Sequence, residues 1–301
     1  MEIKTISWSF TNKCNLNCLH CIVDAGKEYH DELSTIESKN VVDQLSQLNC
    51  NCIHFTGGEC LTKPNFLDVA EYCLKKDINT TLVTNATLLD DTNVDIIKNI
   101  FNDVRVSLNG ASEKTHDFIR GKGNFNKTLK VIDLLNNAGV PVIFFVTLGS
   151  INYSEITDII KLSRVYKAAG LKIDSVVIEG RALGYQEIFS LDAQQTQSLV
   201  DEFNNGLSGI LEEDDLCNIS SQSLYLSPAG DVYPCVHLSL NKSKRYFLGN
   251  VREMTILQMI QKFNREILPD CKNKKCIYKF YSKGSNYILG TKNPNNSRCL
   301  S

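Results

Sequence analysis

The chain has 301 residues, 43% of them hydrophobic and 22% charged, with a net charge of -2. That balance suits a globular protein able to bury a core and gives no electrostatic footprint for nucleic acid or an anionic membrane. No apolar run approaches the ~20 residues of a membrane span, and the start, MEIKTISWSF, lacks the basic-then-apolar pattern of a signal peptide. Twelve cysteines are the outlying number. With no export signal the expected location is the cytoplasm, where thiols stay reduced and dense cysteine points to metal or redox chemistry.

In chain order, strand-like runs occupy 3–10, 52–56, 79–84, 104–108, 141–148 and 172–178. Helix-like segments at 35–48, 65–76, 92–100, 124–139 and 153–170 lie between them, with apolar residues three and four apart. Gly139 and Gly170 are expected to end two of these helices. Strictly alternating strands and helices predict a parallel sheet of the α/β class, either open or a partial barrel. Both architectures bind ligands at the carboxyl ends of the strands.

That rim collects the unusual residues. Cys14, Cys18 and Cys21 follow strand 1, TGGE (56–59) follows strand 2, and Thr84 and Asn85 end strand 3. Ser107 and Asn109 end strand 4, and EGRALG (179–184) follows strand 6. After Gly184 the character changes. Residues 192–207 read as a polar linking helix, SLYLSPAGDVYPC as a hairpin turning about Pro228–Asp231, and 256–268 as a helix.

Three thiolates at such short spacing can hold three irons of a [4Fe–4S] cluster and leave the fourth open. A structural zinc is the rival reading, and it wants a fourth ligand. His20 is in range, but adjacent residues such as His20 and Cys21 rarely both reach one tetrahedral ion. Three unrelated thiols are the bland alternative.

The C-x3-C-x2-C loop resembles the signature of radical S-adenosylmethionine (SAM) enzymes. FTGGE resembles the family's strand-2 motif, in which backbone and Glu meet the methionyl amino group, and that implies a role in binding SAM for Gly57, Gly58 and Glu59. LVTNATLL resembles its strand-3 end, which adds Thr84 and Asn85. RVSLNGASEKTHDFIRGKGNF resembles its strand-4 segment, implying that Ser107 and Arg120 contact SAM, with the paired donors of a guanidinium suited to a carboxylate. EGRALG resembles the region along adenine. The resemblance covers 1–185 and implies a partial (β/α)6 radical SAM barrel. Two departures stand out: Asn109-Gly110 replaces the Asp-Gly of many relatives, and Cys60 replaces their usual Pro. His116 is read as structural. The family mechanism so implied binds methionine at the open iron, takes an electron from the reduced cluster, and forms a 5′-deoxyadenosyl radical that abstracts hydrogen from substrate. The electron implies a reducing partner such as flavodoxin or ferredoxin.

Cys217, Gly230 and Cys235 in the pattern C-x12-G-x4-C, followed by Cys271-x4-Cys276, resemble the SPASM/twitch extension of the same superfamily. This implies a small α+β twitch-type domain at 214–285, after a linker at 186–213 and before a tail at 286–301, holding one auxiliary [4Fe–4S] cluster on Cys217, Cys235, Cys271 and Cys276. Zinc at the same four cysteines is the alternative, and Cys299 is a further candidate ligand. Cys50, Cys52 and Cys73 read as small buried hydrophobes. Cys60, at the rim by motif position, is a candidate hydrogen donor to a substrate radical.

Such extensions in relatives accompany either ribosomally made peptides, which gain crosslinks, thioethers or D-residues, or small molecules such as alcohols oxidised to ketones. The chain starts almost at strand 1, so no leader-binding module is expected before it. Peptide modification is the reading taken. A small-molecule dehydrogenase and a non-catalytic iron–sulfur regulator are the alternatives.

Overall fold

A computed structural model describes residues 3–195, 197, 198, 212, 213, 223–240, 244–263 and 287–290. Six parallel strands form its centre: β1 (Thr5–Thr11), β2 (Cys52–Gly57), β3 (Asn79–Thr84), β4 (Asp103–Ser107), β5 (Val142–Leu148) and β6 (Gly170–Ser175), side by side in chain order. The intervening helices are α1 (Thr35–Gln47), α2 (Phe66–Leu74), α3 (Val94–Ile100), α4 (Glu113–Arg120), α5 (Asn124–Ala138) and α6 (Ile156–Val165). Sequential order with crossovers of one hand keeps every helix on the same side of the sheet. The result is a partial barrel with helices outside, not a doubly wound sheet.

Period-two alternation separates the two faces. Ile6, Trp8, Phe10, Ile53, Phe55, Leu82, Val104, Val106, Phe144, Val146, Leu171 and Ile173 point into one continuous core beneath the helices. Phe10, Phe55 and Phe66 interlock edge-to-face there, with ring centroids 5.1 to 5.8 Å apart. The alternate positions, among them Ser7, His54, Thr81, Arg105, Phe145, Lys172 and Asp174, face the barrel interior and make it polar.

Local chemistry explains the element ends. Ser34 and Glu37 form a reciprocal capping box that starts α1. Gly139, at φ 80°, ends α5 as expected. Gly170 does not end a helix: α6 stops at Val165, Lys167 takes the left-handed turn at φ 48°, and Gly170 opens β6. Helix α4 was not anticipated. Its polar sequence hides the apolar period, but Ser112 caps it by accepting the Thr115 N–H.

The chain beyond the barrel continues the same sheet. After the two-residue β7 (Glu212–Glu213), β8 (Ser223–Leu226) pairs in parallel with β1. It then pairs antiparallel with β9 (Asp231–Tyr233) across the anticipated turn, where Gly230 sits at φ 89°. β10 (Gly249–Asn250) follows β9, while β11 (Tyr287–Gly290) covers β6 antiparallel and pairs with β7. A helix at Ile256–Lys262 lies within the anticipated segment 256–268. Most of the expected linking helix, and Cys217, Cys271, Cys276 and Cys299, lie outside the described residues. No helix among the described residues is long and apolar enough to cross a membrane.

Candidate active site

The cysteine loop leaves β1 at Thr11 and is closed at its base by two backbone bonds, Cys14 N–H to Gly26 O (2.9 Å) and Gly26 N–H to Asn12 O (2.8 Å). All three thiols are partly exposed. Each sulfur meets an N–H donor: Leu16 N–H at 3.4 Å for Cys14, Ala25 N–H at 3.2 Å for Cys21, and the Arg120 Nη1 at 3.9 Å for Cys18. Burial pushes the Cys14 thiol up to about 11 and also raises Cys18, so neither is a thiolate without a cation to stabilise it. Three sulfurs with thiolate-type donors fit a cluster. A single structural zinc would want a fourth ligand. His20 is turned away, its Nε2 3.5 Å from Asn109 Nδ2 in a buried pocket where burial keeps the ring neutral.

The loop after β2 is sewn to the cysteine loop. Gly58 N–H donates to Thr11 O (2.7 Å) and Glu59 N–H to Lys13 O (2.8 Å). The closeness explains both glycines: a Cβ on Gly58 would lie 2.1 Å from the Lys13 carbonyl oxygen, and Gly57 sits at φ 122°. Glu59 is fully buried. Its Oε2 accepts the Thr84 hydroxyl and the Asn85 N–H, both at 2.9 Å, while Oε1 takes only the Leu61 N–H at 3.4 Å. Burial raises its pKa. Asn85 reaches the other way, donating to Asn15 Oδ1 at 2.9 Å, with Cys14 Sγ at 4.0 Å.

Arg120 closes the third side. It lies at the end of α4, is 9% exposed, and donates through Nε to Asn109 Oδ1 at 2.8 Å. Asn109 is the hub of this side: its N–H meets His116 Nδ1 (3.3 Å), its Nδ2 donates to Thr147 O (3.1 Å), and its carbonyl accepts from Asn152 Nδ2 (2.9 Å). Burial lowers His116 to about 3, so it serves this network as a neutral ring. Ser107, 7% exposed, ends β4 beside the hub. The rim thus brings together Cys14, Cys18, Cys21, Gly57, Gly58, Glu59, Thr84, Asn85, Ser107 and Arg120.

The family model of the radical SAM superfamily matches residues 8–163, and that of an iron–sulfur cluster-binding domain, SPASM, matches 217–278. The chain belongs to the radical SAM superfamily. Membership implies a [4Fe–4S] cluster that binds SAM, and the second match an auxiliary iron–sulfur cluster. Mycofactocin maturase MftC of Mycolicibacterium smegmatis is 26% identical over 265 residues, 82% of this chain and 67% of the relative. The AdoMet-dependent heme synthase of Methanosarcina barkeri is 32% identical over 200 residues, 64% of this chain and 56% of that one. The chain therefore spans between about half and two thirds of these curated relatives. Among solved structures, Streptococcus suis SuiB bound to S-adenosylmethionine superposes with a TM-score of 0.70 at 16% identity, covering 91% of this chain and 68% of SuiB, a likeness of fold.

Two features of this radical SAM protein were not anticipated. The first is Arg181, in the loop after β6, which sequence reasoning assigned with its neighbours to the adenine side. Its guanidinium donates to Cys18 O (2.9 Å) and Ala25 O (2.5 Å), and its backbone N–H to Cys21 O (2.9 Å). The second is a row across the barrel interior. Strand register aligns Ser107 with Phe145 and Phe145 with Lys172, and one step higher Thr147 with Asp174. Among the described residues Lys172 has no carboxylate within ion-pair distance. The alternation of β5 and β6 was legible, but the register that aligns the row was not.

The remaining cysteines separate clearly. Cys60 is fully buried in the main core, its thiol bonded to Thr56 O at 3.2 Å, which accounts for it as packing. Cys50 and Cys73 are buried thiols, and Cys52 is engaged in a disulfide. Cys235 is partly exposed and precedes a short helix, Val236–Leu240.

Proposed function

We propose that the chain is a peptide-modifying radical SAM enzyme in which Cys14, Cys18 and Cys21 ligate the SAM-binding cluster. The observation that carries the reading is the placement of the three-cysteine loop, the buried Glu59 carboxylate and the Arg120 guanidinium on one rim, groups of opposite charge suited to the ammonium and carboxylate of a methionyl group. When bound, cluster and SAM supply a carbon radical able to abstract hydrogen. The protein binds and orients. Gly57 and Gly58 let the second loop approach the first, Thr84 and Asn85 hold Glu59 in place, and Ser107 and Arg120 line the far side. A regulatory iron–sulfur module needs none of these groups. Residues 1–185 form the barrel and 214–285 the auxiliary-cluster region, with Cys217, Cys235, Cys271 and Cys276 as ligands. Cys60 is not carried forward as a hydrogen donor, because its thiol is spent in the core.

The mycofactocin maturase relative supports a peptide substrate. The heme synthase relative, 32% identical over its matched segment, keeps a small-molecule substrate as the second reading. The test is anaerobic co-production with a short peptide encoded beside the gene, in deuterated water, read by mass spectrometry. One deuterium at carbon with no other change means epimerisation, and loss of two hydrogens means crosslinking or dehydrogenation. An unmodified peptide from protein that releases 5′-deoxyadenosine would transfer the assignment to a small molecule.

A further inference from the structure

β1 and β6 do not pair with each other: four strands lie between them, β8 borders β1 on its other side and β11 borders β6. The cysteine loop follows β1, on one side of these six strands, and the loop that begins at Glu179 follows β6, on the other. Arg181 joins the two. Arg181 Nη1 and Nη2 bind the carbonyls of Cys18 and Ala25, its backbone N–H binds the carbonyl of Cys21, and Nη2 pairs with Asp24 at 2.8 Å. The neighbouring residue fits the same contact: Gly180, at φ 57°, packs so that a Cβ would lie 2.3 Å from Ile22 O. The carbonyl bonds matter more than the ion pair. Arg181 is 16% exposed and Asp24 65%, so water screens the pair while the carbonyls are sheltered. Asp24 also sits at φ 49°, a left-handed turn within the ligand loop that a fastening on either side helps to hold.

We propose that Arg181 is a positioning residue for the cluster loop: from the loop after β6 it fixes the backbone carbonyls of Cys18, Cys21 and Ala25, so that the three sulfurs hold a ligating arrangement before iron arrives. The proposal rests on Cys14, Cys18 and Cys21 being the cluster ligands. A guanidinium is suited to the task because its planar fork reaches two carbonyls at once, which a lysine ammonium does less well. A loop so fastened opens less often to solvent, and metal binding no longer has to order it.

The test uses the full chain, prepared anaerobically without metal and after iron–sulfur reconstitution, as wild type, Arg181→Gln, Arg181→Lys and the Cys14/Cys18/Cys21→Ala triple variant. In metal-free protein, iodoacetamide labelling is followed thiol by thiol by peptide mapping, with the buried Cys50 as internal control. In reconstituted protein, iron loss to a chelator is timed, and the triple variant defines iron held elsewhere. Arg181→Gln is expected to label Cys14, Cys18 and Cys21 about tenfold faster and to lose loop-bound iron faster by a similar factor, with Cys50 labelling and the thermal midpoint unchanged. Arg181→Lys should fall between. Wild-type labelling and iron retention in Arg181→Gln would overturn the proposal, as would a rise at Cys50 equal to that in the loop, which means general loosening. A triple variant that keeps all the wild-type iron would overturn the ligand assignment instead, and the metal-free labelling comparison would still decide the clamp.

Discussion

Arg120 is held through Nε by the side-chain oxygen of Asn109 at 2.8 Å, which leaves its Nη atoms directed at the cysteine loop, with Nη1 3.9 Å from Cys18 Sγ. Asn109→Ala removes that acceptor and the Thr147 bond together. A buried guanidinium without its partner costs ~1–3 kcal/mol and lets the side chain wander. The expected outcome is a SAM dissociation constant raised about tenfold, with the cluster spectrum unchanged. Equilibrium binding of SAM to reconstituted protein measures it.

Gly58 makes a sharper prediction. Its Cβ position lies 2.1 Å from the Lys13 carbonyl oxygen and 2.7 Å from the Lys13 carbonyl carbon, both backbone atoms that cannot rotate away. Gly58→Ala must part the ends of β1 and β2 where the cysteine and Glu59 loops meet. Overpacking of this kind costs ~1–3 kcal/mol. We expect a lower denaturant midpoint and reduced iron uptake together. Loss of stability with full iron uptake would show that the two loops are not joined here.

Cys60 tests packing against chemistry. The thiol is fully buried and donates to Thr56 O at 3.2 Å. Cys60→Ala deletes one buried sulfur and one weak bond, for which ~1–2 kcal/mol is expected. Chemical unfolding should show that loss while the modified product forms at an unchanged yield. Loss of product with retained stability would restore the hydrogen-donor role.

How much of this was legible in the sequence follows from the range of the signals. All six parallel strands and the three-cysteine loop were readable because period-two alternation and close spacing are local. Helix α4 escaped because His116, Ile119 and Arg120, its buried face, include only one ordinary hydrophobe. Gly170 misled because a glycine after a helical pattern signals a cap equally well when it begins the next strand. Arg181 was beyond reach for a different reason: its carbonyl partners are more than 150 residues away in sequence. The pairing of β8 with β1 was hidden in the same way.

Lys172 shares its register row with Phe145 and Ser107 on the interior face, and among the described residues no carboxylate neutralises it. An ammonium beside a partly buried ring on the interior face suits a substrate carboxylate next to an apolar group. Lys172→Met should raise the substrate KM about tenfold and change kcat less, since the interaction serves binding in ground and transition states alike. Steady-state kinetics on the modified peptide checks this, and an unchanged KM would move recognition elsewhere.

The contact between the C-terminal segment and the barrel has a pH dependence with a definite sign. Arg252 donates to both Glu37 oxygens, at 2.5 and 3.3 Å, and also holds Ala229 O at 3.0 Å, joining the turn after β10 to the capping box of α1. The Arg252 bond, followed by the Ser34 bonds, lowers Glu37 to about 2 from its ordinary 4.5. A depressed folded-state pKa stabilises the fold above the unfolded value. The contribution is therefore complete above about pH 5 and fades as pH falls through 4.5 toward 2. Both side chains are 34% exposed, so screening limits the pair to ~1 kcal/mol. Arg252→Ala should lower the urea midpoint at pH 7, and the gap from wild type should narrow at pH 3. A gap that is constant between the two pH values would mean that Arg252 acts through the uncharged Ala229 bond alone.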